Sequence, residues 1–339
     1  MKIDLIKTEI AGAAKRFASS TSQCGITPMQ IEIEENADMA QHTSFKAGGR
    51  AAALVTVRSV VALKAVLQIM AKLEVPHIFL GNGSNMLFRD EGYDGAVIKM
   101  ADFGKLYLQP EESFTGEIFP GLSAEESRAE DTVMCEAGIY MSTLAKQLMN
   151  AGLSGFEFAS GIPGSLGGGL FMNAGAYGGE LKDIVKGVLA VSPDGSCTRV
   201  FTNEEMQFAY RHSILQENGY IAVAASLKLA KDEPAKIAER MRELAQKRNS
   251  KQPVQYPSAG STFKRPEGYF AGKLIEDAGL KGVSVGGAQV STLHSGFVIN
   301  RGGATATDIL QLMALIQNTV YDKFGVKLEP EVRIIGSQA

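Results

Sequence analysis

Apolar positions change period several times along the chain, and each change marks an element. Ile31-Glu-Ile-Glu34 alternates like a short edge strand. Ala52-Ala-Leu-Val-Thr-Val57 reads as a strand, after which apolar residues recur at helical spacing over 59–73, with Ser59 as the N-cap. His77-Ile-Phe-Leu80 and Ala96-Val-Ile-Lys-Met100 are two further strands, giving a βαββ unit with a glycine turn at 81–85. The pattern then predicts a helix around 141–151 and strands over 185–191, 197–201 and 220–229. A charged helix over 233–248 reads as a domain connector. A last unit follows: helix 271–278, strand 296–300, helix 308–324 and strand 332–335. Hairpins mixed with single crossovers make this an α+β chain of several domains, and no internal repeat is visible.

Composition narrows the function classes. Hydrophobic content of 45% and charged content of 21% are those of an ordinary globular protein, and 339 residues suffice for two or three cores. A net charge of −3 offers no basic field for nucleic acid. Cys24, Cys135 and Cys197 are too dispersed for a disulfide framework or a zinc site, so no metal is expected and a reducing cytoplasm is. No apolar run approaches the ~20 residues of a membrane span. The amphipathic start of the chain carries Asp4 and Glu9, and reads as a surface helix or frayed extension rather than a signal peptide. Residues 109–131 hold seven acidic residues against Arg128 and read as an exposed insertion.

The chain's 37 glycines concentrate in the segment from Ser154 to Glu180, which holds nine of them with almost no charge. Such density costs conformational entropy, and the segment is too apolar for a flexible linker. It reads as a loop moulded around a large cofactor, with a glycine-rich packing loop as the alternative. Gly81-Asn-Gly-Ser-Asn85 is a second glycine site, neither a P-loop nor a GxGxxG fingerprint. Successive backbone N–H groups there could form a nest for a pyrophosphate. Thr43-Ser-Phe-Lys-Ala-Gly-Gly49 is a third.

These blocks, followed in order by Tyr210-Arg-His-Ser213, Pro257-Ser-Ala-Gly-Ser-Thr-Phe-Lys264 and Pro330-Glu-Val-Arg333, carry a resemblance. From about residue 40 onward the chain resembles the UDP-N-acetylenolpyruvoylglucosamine reductases, flavoproteins that complete the muramic acid unit of peptidoglycan. The region between Ser261 and His294 is too short for the tyrosine-bearing insertion of one branch, so the shorter form is expected. The resemblance implies the FAD-binding fold of the vanillyl-alcohol-oxidase (PCMH) type in two subdomains, plus a C-terminal α/β substrate domain. The expected boundaries are an extension over 1–40, FAD subdomains over 41–105 and 106–232, and the substrate domain over 233–339. It also implies non-covalent FAD, NADPH as hydride donor, UDP-GlcNAc-enolpyruvate as substrate, and a cytoplasmic monomer serving cell-wall synthesis, cell shape and division.

The implied reaction reduces an enol ether, and three residues match its catalytic positions. Ser261 would protonate the substrate carbon, although serine more commonly caps a turn. Arg211 would pair with the substrate carboxylate in bidentate fashion, or else form a structural salt bridge. Glu331, kept neutral by burial, would hydrogen-bond the enolate; Glu329 is its close competitor. Cofactor contacts are expected at Gly81, Asn82, Gly83, Ser84 and Asn85, at Ser160, Gly161, Ile162, Pro163, Gly164 and Gly167, and at Asn173, Ala174 and Gly175. Tyr210, Lys251, Lys264, Arg265 and His294 are expected to contact the substrate. An FAD-dependent oxidase acting on a small alcohol or sugar, and a catalytically dead nucleotide-sugar-binding protein, are the competing readings.

Overall fold

The computed structural model describes residues 3–20, 31–101, 103–108 and 131–336. Cys24 and all of the acidic stretch except Asp131 lie outside them. Helix α1 (Ile3–Ser20) rests on α2 (Val60–Leu73), burying Ile6 and Ile10 in one core with Leu63, Val66 and Met70. Lys72 Nζ reaches Glu9 at 2.7 Å across the top of this pair. Ser59 caps α2 as its sequence indicates, its Oγ accepting Ala62 N–H at 3.1 Å. Beneath lies a four-stranded sheet of β1 (Ile31–Asp38), β2 (Arg50–Val57), β3 (His77–Leu80) and β5 (Tyr93–Met100), in the order β1-β2-β5-β3. β1 falls within the first forty residues, expected as an extension, and pairs antiparallel with the whole of β2 as the edge strand. β4 (Met86–Phe88) leaves this sheet for a partner elsewhere.

The second sheet is fully antiparallel. It comprises β6 (Leu106–Tyr107), β7 (Thr132–Glu136), β8 (Val185–Val191), β9 (Thr198–Thr202) and β10 (Ile221–Lys228), ordered β9-β8-β10-β7-β6. Both faces of β8 and β10 are covered, so they are buried along their length except at Lys186 and Lys228. Leu189, Val191, Ile221 and Val223 face the α1–α2 core. Val188, Ala190, Ala225 and Leu227 face α3 (Met141–Asn150) and α4 (Leu166–Met172). Helix α5 (Pro234–Lys251) lies against this second subdomain, where Arg240 binds Glu157 at 2.8 Å and Asp232 at 2.7 Å.

The glycine-rich segment departs from the loop expected of it. It contains α4, with Gly167, Gly168 and Gly169 in a row inside a helix, against their intrinsic propensity. Close packing overrides the propensity. A Cβ on Gly169 would overlap Met141 Cε and stand 2.9 Å from Leu181 Cδ1; one on Gly167 would stand 3.1 Å from Ala137 Cβ. Ser165 caps the helix, and Asn173 ends it in the left-handed region at φ 43°.

The C-terminal unit wraps α6 (Ala271–Asp277) and α7 (Ala306–Phe324) on an antiparallel sheet of β11 (Ser284–Val285), β12 (Ala288–Val290) and β13 (Val298–Asn300). Phe45 and Leu87 of the first subdomain enter its core. Strand β14 (Arg333–Ile335) pairs in parallel with β4, placing Arg333 opposite Met86. Asp90 extends the same seam, its two carboxylate oxygens accepting Ala306 N–H at 2.9 Å and Thr307 N–H at 2.7 Å. Among the described residues no helix is long and apolar enough to cross a membrane.

Buried Asn300 stitches the C-terminal unit to the first subdomain. Its Nδ2 donates to Phe45 O at 3.0 Å and Lys46 O at 3.3 Å; its Oδ1 accepts Gly302 N–H at 2.9 Å and Ala304 N–H at 3.2 Å. Asn300→Ala leaves these groups in an interior with no replacement, which costs about 3 kcal/mol. A urea titration is expected to show a lower midpoint with an unchanged slope; an unchanged midpoint would refute the stitch.

Candidate active site

The two glycine loops meet in the fold. Asn82 Nδ2 donates to Pro163 O at 2.9 Å. A Cβ on Gly81 would stand 2.7 Å from Ser165 Oγ, and one on Gly164 would stand 3.7 Å from Ser84 Oγ. The first loop turns its carbonyls toward protein: Gly83 O accepts Ser44 N–H at 3.1 Å and Asn85 O accepts Arg333 N–H at 3.0 Å. Its N–H groups are therefore the loop's uncommitted polar edge among the described residues. Gly83 holds φ 63°, and a Cβ there would overlap the His42 carbonyl oxygen and stand 2.9 Å from Thr43 Cα, so only glycine fits.

The second loop is more committed than its composition implies. Ser160 N–H goes to Glu157 O at 3.1 Å, Ile162 N–H to Ala159 O at 3.0 Å, Gly164 N–H to Ile162 O at 2.9 Å, and Gly167 N–H to Ala137 O at 2.6 Å. Ala174 N–H goes to Gly169 O at 2.8 Å, and Gly175 pairs with Glu180 in a short hairpin. The side chain of Asn173, expected among the cofactor contacts, is committed to protein partners. It is 1% exposed, and its amide donates to Glu180 Oε2 at 2.8 Å and Ala209 O at 3.0 Å while accepting Lys182 N–H at 3.0 Å. Its work is to hold the 209–212 loop.

That loop presents Arg211 in the left-handed region, at φ 55°. A bulky residue there is strained by about 1–2 kcal/mol, a cost that functional loops commonly carry. Arg211 Nε donates to Glu331 Oε1 at 2.6 Å, and both side chains are largely buried, at 23% and 12% exposure. Because Nε makes this bond, the two terminal nitrogens form the outward end of the fork. Burial pushes the Glu331 carboxyl above the ordinary glutamate range, and the attraction of Arg211 only partly offsets it. Glu329, its competitor in sequence, is 75% exposed and faces Lys264 at 3.4 Å.

Ser261 is exposed and follows Gly260 at φ 75°, in a loop where a Cβ on Gly260 would meet nothing within 4 Å. Its neighbour Thr262 is fully buried and fixes the loop three ways. Thr262 N–H goes to Gly296 O at 2.9 Å, its Oγ1 accepts Val298 N–H at 2.9 Å, and its carbonyl accepts Glu331 N–H at 2.9 Å. Ser261 and Glu331 thus sit on hydrogen-bonded neighbouring strands of backbone. Tyr210 joins the group from the other side, its hydroxyl accepting Arg265 N–H at 3.1 Å and its ring 5.1 Å from the Arg211 guanidinium. Arg265 stacks over Phe270 at 4.4 Å.

The remaining expected residues are placed less centrally. Lys251 is exposed at the last residue of α5. His294 Nδ1 accepts Gly296 N–H at 3.1 Å, its ring meets Phe297 edge-on at 4.9 Å, and burial lowers its pKa. Burial thus disfavours the charged form that a diphosphate contact would use. Two residues beside these loops escaped the sequence reading. Thr262 was visible only as part of a block. Arg248 packs its side chain under Gly161, Cδ at 3.0 Å from that residue's Cβ position, with no acidic partner among the described residues. Its signal was a basic residue in the last turn of a helix, which is too common to single out.

The profile of an FAD-binding domain matches residues 51–200, and that of the UDP-N-acetylenolpyruvoylglucosamine reductase C-terminal domain matches residues 252–335. A UDP-N-acetylenolpyruvoylglucosamine reductase of Alkaliphilus oremlandii is 50% identical over 300 residues, covering 88% of this chain and 92% of that one. The chain belongs to the UDP-N-acetylenolpyruvoylglucosamine reductase family. One from Clostridioides difficile is 47% identical over 306 residues, 90% of this chain and 94% of that one. The crystal structure of the reductase from Thermus caldophilus superposes with a TM-score of 0.73 at 34% identity, covering 90% of this chain and 99% of that one. The α+β fold is thus the FAD-binding fold followed by the reductase family's C-terminal domain. The cradle fits the pyrophosphate of FAD on its own chemistry: uncommitted N–H groups, a glycine that tolerates no side chain, and an unpaired half-buried arginine at the adjoining turn.

Gly83→Ala forces an alanine into the left-handed region and against the His42 carbonyl, at a cost of at least about 1–2 kcal/mol. If that cost falls on the cofactor loop, the purified variant will bind FAD at least about tenfold more weakly. The ratio of flavin to protein absorbance, followed during FAD titration of stripped protein, measures it. Wild-type affinity would show that the loop takes no part in binding.

Proposed function

We propose that this protein uses NADPH and FAD to reduce UDP-GlcNAc-enolpyruvate to UDP-N-acetylmuramate, with Arg211, Glu331 and Ser261 as its catalytic residues. The observation that carries the reading is the buried Arg211–Glu331 pair, joined through Thr262 to Ser261, at the junction of an FAD-binding domain with this family's C-terminal domain. When bound, FAD supplies the two-electron chemistry that links NADPH to the enol ether. The remaining tasks fall to the chain. The terminal nitrogens of Arg211 receive the substrate carboxylate as a planar fork. As the vinyl carbon is reduced, negative charge spreads onto that carboxylate, and Arg211 stabilises it. Burial favours the protonated form of Glu331, which in this reading donates a hydrogen bond to the same enolate oxygen while its other oxygen keeps the bond from Arg211 Nε. The Ser261 hydroxyl gives its proton to the adjacent carbon. Serine is a weak acid, and the basicity of that carbon makes the transfer feasible.

Tyr210 and Arg265, joined by their hydrogen bond, are the first candidates for the diphosphate, with Lys251 and Lys264 at the periphery. Both substrates are water-soluble and nucleotide-linked, which supports a cytoplasmic enzyme, and one chain supplies the whole constellation, which supports a monomer. An anaerobic stopped-flow experiment tests the function directly. NADPH should bleach the flavin, and UDP-GlcNAc-enolpyruvate should restore its absorbance; absence of the second phase would refute the reading.

Ser261→Ala is expected to leave bleaching by NADPH nearly untouched and to slow the second phase by ~10²–10⁴-fold, the usual cost of losing a positioned acid. Equal slowing of both phases would point instead to a damaged flavin site.

The role of Glu331 has a pH signature. Its pKa is raised, so the protonated donor is present below that pKa and lost above it. The second phase should therefore slow as pH rises through the raised value, and Glu331→Gln, which donates at every pH, should remove that limb. Arg211→Lys should lose much of the activity despite keeping its charge. Arg211 and Glu331 substitutions should combine less than additively, because they serve one oxyanion. A silent Glu331→Gln beside an inactive Glu329→Gln would overturn the assignment.

A further inference from the structure

Asn85 was expected to bind cofactor as part of the first glycine loop, yet its side chain points to another task. Its Nδ2 donates to the carbonyl of Glu331 at 3.1 Å, across 246 residues of sequence. Its own carbonyl accepts Arg333 N–H at 3.0 Å. One residue thus grips the last strand at two points, immediately beside the β4–β14 pairing that begins at Met86 and Arg333. The backbone of Glu331 is then held from two sides, by the Asn85 amide on one and the Thr262 carbonyl on the other. Asn85 is also the end of the first glycine loop, and Asn82 and Gly83 of that loop are anchored to Pro163 and Ser44.

We propose that Asn85 is a positioning residue, which couples occupation of the cofactor loop to placement of Glu331. This rests on the reading of the reaction given above. A loop that tightens around a pyrophosphate tightens the strand it grips, and the carboxyl that must sit between Arg211 and substrate is carried by that strand. Linkage makes the effect reciprocal: whatever orders Glu331 also favours the cofactor-bound loop.

Asn85→Leu keeps the approximate size of the side chain and removes its donor; Asn85→Ala serves if leucine disturbs folding. The first readout needs neither substrate nor turnover. Hydrogen exchange of the peptide covering residues 328–336 is followed in stripped protein with and without FAD. In wild type, FAD should slow this exchange about tenfold, the scale of an ordinary coupling energy, and in the variant the protection should largely disappear while FAD still binds. The second readout is the separation of half-reactions. In the variant, reoxidation by UDP-GlcNAc-enolpyruvate should slow roughly 10–100-fold more than bleaching by NADPH does, within the range seen when supporting groups around a site are removed. Combining Asn85→Leu with Glu331→Ala should cost little more than Glu331→Ala alone.

Equal FAD protection of residues 328–336 in wild type and variant would overturn the proposal. Loss of FAD binding with no separate effect on reoxidation would do the same, leaving Asn85 an ordinary cofactor contact. If wild-type protein bleaches with NADPH and is not reoxidised by the enol ether, the functional reading fails instead, and the exchange experiment still decides whether the coupling exists.

Discussion

Three residues of parallel β-structure, Met86–Phe88 against Arg333–Ile335, join the end of the chain to its first subdomain. The pairing is short, and by itself it could not repay the entropy of closing so long a loop. It survives because larger contacts flank it. Phe45 and Leu87 of the first subdomain are buried in the C-terminal core, Asp90 takes the first N–H groups of α7, and Asn300 binds the carbonyls of Phe45 and Lys46. The position of Glu331 depends on this seam. A carboxyl two residues before β14 can meet an arginine from the second subdomain only if the last strand is docked on the first.

Much of the site is irregular backbone in a partly buried setting, and such backbone needs partners for its polar groups. Here a few polar side chains provide them. Asn173 holds the Ala209 carbonyl, Asn300 holds the 45–46 and 302–304 turns, Thr262 fixes the Ser261 loop, and Asn85 holds Glu331. These residues share a geometry. Each side chain bonds to backbone groups at least 36 residues away in sequence. They explain how loops that carry Arg211 and Ser261 can be precise without being part of a sheet or a helix.

Electrostatics at the centre is set by burial as much as by pairing. An exposed arginine–glutamate pair contributes little to stability, whereas breaking a buried one costs about 3–5 kcal/mol because a charge is left without a partner. The Arg211–Glu331 pair is largely buried and is completed by an arginine in the left-handed backbone region. That arrangement is expensive for a purely structural bridge. The same burial raises the affinity of the Glu331 carboxyl for its proton.

The sequence alone determined the elements whose signals are local: the βαββ unit with its Ser59 cap, the short and the long helix of the last unit, and the apolar strands over 185–191 and 220–229. It also determined the family, since the residue type and order of its short blocks are properties of the chain itself. Only the tertiary structure decided which groups meet. The glycines of α4 read as loop because helix propensity is local, while the Met141 and Leu181 side chains that exclude any Cβ arrive from outside the segment. Asn85 and Asn173 read as cofactor contacts because an amide's residue type does not reveal its hydrogen-bond partner, and the partners lie 246 and 36 residues away. His294 read as a cation because its burial is a property of the packed turn around it. Glu331 and Glu329 differ in sequence only by their place in a four-residue block; in the fold they differ by burial, 12% against 75% exposure, which is decided when β14 docks on β4.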